Sequence, residues 1–383
     1  MRLTNYQRWV MYSDMAYKFE NGMAQTVKTY EQFWNGELNR AILPVIIGGY
    51  EPDRPKPACY PDNVWIHGCS QQLFADRNVS VVEVVDCIEY AMSCLEFLGD
   101  AFPMVNMDFT GAGITAAYLG ATLTITETGI WFFPKDEAVP IGELHAEYDP
   151  DNYWLNRTKD IIIECTSRFG NDVALGLPDL GGVIDIIASL RGTNELLMDL
   201  HDNPEEVKRL INEVSALWKR YFSEIQALCS GNAMHTNWSG ILSAESTNMF
   251  QADFAYMIGP PMFNEIILPE LIDNFGMVQR PCYHLDGTGQ LRHLDSLLGV
   301  EQLRLIQWIP GSGIEPVNYW IDVHNRILES GKLLQVGVEG YLDEPLDAII
   351  TARGSLKGVT NFASIYDKKD RDKGLRLLEK YHG

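Results

Sequence analysis

The chain has 383 residues, 46% hydrophobic and 21% charged, with 52 acidic against 30 basic side chains and a formal net charge of −22. That balance is globular and long enough to bury a large core, which excludes a disordered or fibrous chain. The acid excess disfavours nucleic acid and anionic membranes, whose phosphates need a basic face, and leaves room for an acidic ligand only where arginines cluster. Seven cysteines (Cys59, Cys69, Cys87, Cys94, Cys165, Cys229 and Cys282) include no C-x-x-C pair and read as reduced thiols of a cytoplasmic protein. Residues 1–16 lack the apolar stretch of a signal peptide. No apolar run approaches the ~20 residues of a membrane helix.

Taken in chain order, residues 4–39 read as helices, with Thr4 as a cap and a second helix over 23–34. A short apolar run ended by glycines, 43–48, suits a buried strand. The proline-rich 50–62 is a loop. Ser80 can cap a helix over 81–98. Then come a strand at 102–107, a helix at 113–119, a β-hairpin at 122–133 and a helix at 155–169. A strand at 173–177 leads through the turn 178–182 into a helix at 184–190, followed by a long amphipathic helix at 204–229. The second half alternates more regularly. Strands are expected at 233–238, 281–285, 303–309, 333–338 and 359–363. Helices are expected at 261–275, 290–298, 318–330, 346–352 and 372–381.

Strands alternating with helices imply parallel sheets with crossover helices. Eight such units, with strands starting at 43, 102, 173, 233, 281, 303, 333 and 359, favour a closed (β/α)8 TIM barrel over an open sheet. The expected organisation is an N-terminal helical extension, 1–40, and a barrel, 41–383. In such a barrel the chemistry sits at the C-terminal ends of the strands. Those ends carry Glu51, Asn106, Asp108, Asp179, Trp238, His284, Asp286, Gln307, Trp308, Glu339, and Asn361 or Ser364.

Tyr283-His284-Leu285-Asp286-Gly287 is the strongest constellation. Residues two apart on a strand share a face, so His284 and Asp286 would look into the same mouth. An imidazole and a carboxylate there can hold a divalent metal or act as an acid/base pair. Asp286 could equally cap the next helix, with His284 bonded to a backbone carbonyl. Glu339, between glycines, could be a third ligand or base, or a solvated loop acid. Asn106 and Asp108 form a second pair at another strand end. Asp179 follows a strand directly and suits a turn equally well. His235 and Trp238 in AMHTNWSG could wall a pocket. Asp253, among Phe254, Tyr256 and Met257, would need a partner if buried.

Two motifs are decoys. Gly111-Ala112-Gly113-Ile114-Thr115-Ala116 fits the dinucleotide fingerprint, with Glu127 roughly where a ribose-binding acid belongs. The match is short, and glycines are common in any β-α turn. Asp322-Val323-His324 begins a D-x-H-x-x-G corrinoid-binding pattern, but Ile327 stands where glycine is required, so His324 reads as a helix surface residue. There is no H-E-x-x-H, P-loop or G-x-S-x-G.

From about residue 40 onward the chain resembles the uroporphyrinogen decarboxylase superfamily. The resemblance lies in LGLPDLGGVIDIIASLRGTNELLMDLHDNPEEVKRLINEV, DFAYMIGPPMFNEIILPEL, PCYHLDGTGQLRHLD and LRLIQWIPGSG. It implies a (β/α)8 barrel with N-terminal helices and one of two chemistries. The first is decarboxylation of uroporphyrinogen. The second is methyl transfer involving a corrinoid protein, usually zinc-assisted. The decarboxylases carry two substrate-binding arginines after the first strand, where this chain has Gly49 and Asp53. Asp108 matches their essential aspartate, but Phe362-Ala363-Ser364 replaces their closing G-H-G. The methyltransferases bind zinc through H-x-C and a later cysteine. His284 matches that histidine, Asp286 stands at the first cysteine, and no cysteine follows Cys282. The resemblance therefore implies a methyltransferase or demethylase, with zinc on His284, Asp286 and Glu339 and a separate corrinoid protein as partner. Asn106, Asp108, Trp238, Asp253 and Gln307 would shape the pocket for a small substrate. A decarboxylase and a non-catalytic ligand-binding barrel are the alternatives, and a homodimer is compatible with the family.

Overall fold

The computed structural model describes residues 18–19, 21–61, 70–127, 129–135, 139–229, 234–311, 320–337 and 343–382. Helices form where apolar residues recur at helical spacing, and some of them begin at a side-chain cap. Val81–Ser93 starts at a full capping box: the Ser80 hydroxyl accepts the Glu83 N–H, and the Glu83 carboxylate accepts the Ser80 N–H at 2.8 Å. Asn152 caps Tyr153–Phe169 through two backbone N–H groups. Pro204–Cys229 buries one stripe, including Val207, Leu210, Val214, Trp218 and Phe222.

The strands are β1 (Lys18–Phe19), β2 (Pro44–Gly48), β3 (Glu96–Gly99), β4 (Met104–Val105), β5 (Thr122–Thr126), β6 (Gly129–Phe133) and β7 (Ala174–Leu177). They continue as β8 (Thr236–Asn237), β9 (Thr247–Gln251), β10 (Arg280–Asp286), β11 (Leu305–Ile309), β12 (Leu333–Val336), β13 (Val359–Asn361) and β14 (Ser364–Asp367). The result is a mixed α/β fold. Its sheets run in the orders β1-β3-β2-β14, β13-β12-β11-β10-β9, β4-β7-β8 and β5-β6. Among the described residues only the β2–β3 and β5–β6 ladders are antiparallel, beside an isolated antiparallel bridge from His235 to Ser243. The expected closed ring of eight is not what these ladders form: they stay in four separate sheets, with an isolated parallel bridge from Ile42 to Thr360.

Several expectations are corrected by tertiary partners. Lys18–Phe19 is strand, not helix, because it finds Glu96–Phe97 alongside. The helix expected to run to residue 98 stops at Ser93, and β3 follows because β2 offers it an unpaired edge. The strand expected over 102–107 shrinks to β4, and that over 233–238 to β8, with residues 230–233 outside the described part. The helix expected over 261–275 contains a π-turn, Phe263–Ile267, just before Pro269, whose missing N–H a regular turn would need. A ninth strand, β9, hides in the polar sequence TNMFQ. Ser364 opens β14 rather than facing a mouth. His324 is 2% exposed rather than on the surface, and burial lowers its pKa to about 4.

Two apolar clusters hold the fold. The larger lies between the sheets and the surrounding helices, where Phe250, Tyr283, Leu285, Ile306, Trp308 and Leu334 are buried. The smaller lies on the other strand faces, against the helix Met23–Trp34. There Tyr30, Phe33 and Trp34 meet Met249, Cys282 and Leu305. Arg280 secures that helix by bonding both oxygens of Glu31. β10 thus divides by the pleat: Tyr283 and Leu285 go to the larger core, and Cys282 to the smaller.

Candidate active site

The parallel register stacks side chains in layers. Cys282 pairs with Met249 and Leu305, and Leu305 with Leu333, giving an apolar layer against the N-terminal helix. Two residues further along each strand the layer is polar. His284 pairs with Gln251 and Gln307, Gln307 with Gln335, and Gln335 with Thr360. Gln251, Gln307, Gln335 and Thr360 are all buried. Polar groups at that depth destabilise the fold unless they are hydrogen-bonded.

Most of the bonds form a directed relay. The Gln335 amide N–H donates to the Ser239 carbonyl at 3.0 Å. A backbone carbonyl can only accept, so the Gln335 oxygen is left to accept from Gln307 Nε2, at 2.5 Å. The Gln307 oxygen then accepts from His284 Nδ1. The chain of bonds ending on Ser239 therefore places the proton of neutral His284 on Nδ1 and leaves the Nε2 lone pair free. Nε2 lies 3.9 Å from Asp286 Oδ2. The Trp238 ring stands edge-on to the imidazole, 5.3 Å between centroids.

Asp253 completes the group. It opens the 3₁₀ turn Asp253–Met257 directly after β9, beside β10. One ligand atom from each of Asp253, His284 and Asp286 lies within 4.8 Å of the others, the one such trio among the described residues. The turn is held by Asp185, in the first turn of the helix Val183–Arg191: its two oxygens accept the N–H groups of Asp253 (3.0 Å) and Phe254 (2.7 Å). Gly182 makes this approach feasible, because a Cβ there would lie 2.2 Å from the Gln251 carbonyl oxygen.

The site is short of positive charge. Desolvation pushes the buried Asp179 up to about 6, with the His284 imidazole pulling the other way, and it raises Asp108 as well, although that residue is exposed at the surface. Desolvation, then the charge of Asp286, raises Asp253 toward about 7; because the residue is exposed at the surface, the upward direction is what the site's geometry supports. Asp185 rises to about 8, through desolvation and the charge of Asp253. No lysine or arginine is among the main influences on any of the four. Such an arrangement can hold a cation, or protons near neutral pH.

The structure thus brings His284, Asp286, Asp253, Asp179, Gln307 and Trp238 together. Asn106 joins them by donating to the Trp238 carbonyl at 2.9 Å, while its oxygen accepts the Asp108 N–H. Asn361 spends its amide N–H groups on Phe362 and Ser364, and Glu51 is exposed on the loop after β2. His235 and Trp308 lie elsewhere. His235 sits in a backbone bridge to Ser243, and Trp308 turns to the helix layer, edge-on to Trp320, because the pleat sends it opposite to Gln307. Glu339 lies outside the described residues. Sequence reading missed Asp185, the relay member Gln335 and its buried layer neighbour Gln251. A lone glutamine inside the apolar strand LLQV was the available signal for Gln335. The dinucleotide fingerprint has a structural role instead: the N–H groups of Gly113 and Ile114 both donate to the Asp179 carbonyl, so neither is left for a phosphate.

No family model and no curated protein matches the chain. Among solved structures it is similar to a methyltransferase from Methanosarcina mazei, at 11% identity over 70% of this chain and 77% of that chain, with a TM-score of 0.45.

Proposed function

We propose that this chain is an enzyme that moves a methyl group between a small molecule and a separate corrinoid protein, with a divalent metal on Asp253, His284 and Asp286. The convergence of those three ligand atoms, with Nε2 of His284 left unprotonated, is the observation that carries the proposal. The donor set fits zinc: one imidazole nitrogen and two carboxylates, with Asp253 in the place expected for Glu339. No thiolate takes part, since Cys282 lies one layer below in the apolar cluster. Methyl transfer, the corrinoid partner and membership of the uroporphyrinogen decarboxylase superfamily rest on the motif resemblance. The strand order β9 to β13 and the Ile42–Thr360 bridge support reading the fold as a (β/α)8 barrel with an interrupted ladder.

When bound, the metal would supply Lewis acidity at the ether oxygen or amine nitrogen that carries the methyl group. The protein's own part is positional and acid/base. Gln307 and Gln335 orient the imidazole, and Asp185 holds the backbone that carries Asp253. Asp179 accepts the Gly181 N–H on Oδ1, which leaves Oδ2 to carry a proton to the leaving atom. The carboxylates around the mouth repel polyanions, which disfavours uroporphyrinogen as substrate.

Elemental analysis and turnover with a methyl-corrinoid protein test the proposal. The purified chain should retain about one metal ion and lose it in His284→Ala and Asp253→Ala. Metal-free protein that still turns over would overturn it.

A further inference from the structure

A cavity of about 610 Å³, including its opening, adjoins the site. It lies where β2 and β4 share no ladder, with walls drawn from β2, β3, β4 and the residues following β8 and β13. Leu95, Phe97, Phe102 and Met104 are among the lining side chains, and none of the lining residues is charged. Trp238 belongs both to this wall and to the surroundings of His284.

The polar groups of the wall are nearly all engaged. Asn106 uses its amide on Trp238 and its oxygen on Asp108. The Ser239 hydroxyl donates to Asn237, and the Ser239 carbonyl receives Gln335. The exception among the lining side chains is Trp238, whose buried Nε1 has no partner among the described residues. An unmatched buried donor disfavours the empty state and is relieved by one acceptor. A charged ligand would lose its hydration with no counter-charge on the wall. An anion would in addition be repelled by the carboxylates of the neighbouring site.

We propose that this cavity is the substrate chamber of the neighbouring site and takes an uncharged molecule with an apolar, ring-sized body and one hydrogen-bond acceptor. The assignment of the chamber to catalysis rests on the proposed function, whereas its preference for neutral ligands follows from its walls.

Calorimetric titration of the purified chain with methoxynaphthalene, methoxynaphthoate and naphthyltrimethylammonium tests it, with metal content measured on the same sample. The neutral ether should bind at least about tenfold more tightly than either charged analogue. Trp238→Phe, which keeps the ring but removes the donor, should weaken it about fivefold. Ala363→Phe, which fills the cavity, should abolish it while the far-UV spectrum stays unchanged. A charged analogue binding as tightly as the ether, no binding of the ether, or ether binding indifferent to both substitutions would overturn the proposal. Ether binding by metal-free protein would leave this proposal standing and remove the metal reading, and metal retention without ether binding would do the reverse.

Discussion

Two clusters of histidine and aspartate in this protein use the same side chains to opposite ends. Around Asp100, Arg40 bonds both carboxylate oxygens, the Leu43 N–H adds a third bond at 2.8 Å, and His382 Nε2 stands 3.1 Å away. Burial pushes the Asp100 carboxyl up, but the bonds from His382 and Arg40 outweigh it and hold the pKa below the ordinary value. Around His284, the carboxyls of Asp179, Asp185 and Asp253 are pushed up and no guanidinium answers them. A cluster that only holds structure is neutralised in place. One left short of positive charge is poised for a ligand, at a cost to folding.

The contrast can be broken by substitution. Asp100→Asn leaves Arg40 without its counter-charge and should lower the unfolding free energy by about 3 kcal/mol in urea titrations at neutral pH. Asp179→Asn should act in the other direction. The Asp179 pKa is raised in the folded state, so its favourable contribution is present below its unfolded value of 3.8 and is lost as pH rises through about 6. The variant should match the native chain near pH 4 and exceed it by roughly 2 kcal/mol at pH 7. A difference that does not change with pH would mean that burial of Asp179 carries no penalty. Asp100 has the reverse sign: its contribution is present above its unfolded value and is lost as pH falls below it.

Smaller effects sharpen the picture. Gln335→Leu removes the link between Gln307 and Ser239 and frees the imidazole to take either tautomer. Metal affinity measured by chelator competition should fall about tenfold, with the fold intact. Trp308→Phe should leave metal binding and turnover unchanged and cost on the order of 1 kcal/mol of stability. A larger loss of activity there than in Trp238→Phe would reverse the assignment of the two tryptophans.

How far the residues themselves foretold this depends on the distance over which each feature is set. The alternation of β10 is local, so the shared face of His284 and Asp286 could be read from their spacing. The strands at 43, 173, 281, 303 and 333 were visible as apolar runs between turn signals. β9 was not, because Thr247, Asn248 and Gln251 carry no apolar rhythm and become strand only beside Arg280–His284. β3 reads as a continuation of the preceding helix for a similar reason, since Leu95, Phe97 and Leu98 suit either structure until β2 supplies the partner.

What the amino-acid order determined alone is the set of short-range patterns: the capped helices, the pleat that aims His284 and Asp286 one way and Tyr283 and Leu285 the other, and an acid excess that repels polyanions. Tertiary structure decided which distant groups meet. Asp253, Gln307 and Gln335 reach His284 only through the register of neighbouring strands, and Asp185 fixes Asp253 from 68 residues away. The cavity, likewise, exists because β2 and β4 share no ladder. The physical reason is range. Pleat and cap geometry follow from neighbouring backbone torsions, whereas register and proximity depend on how crossover helices pack, which no local spacing encodes.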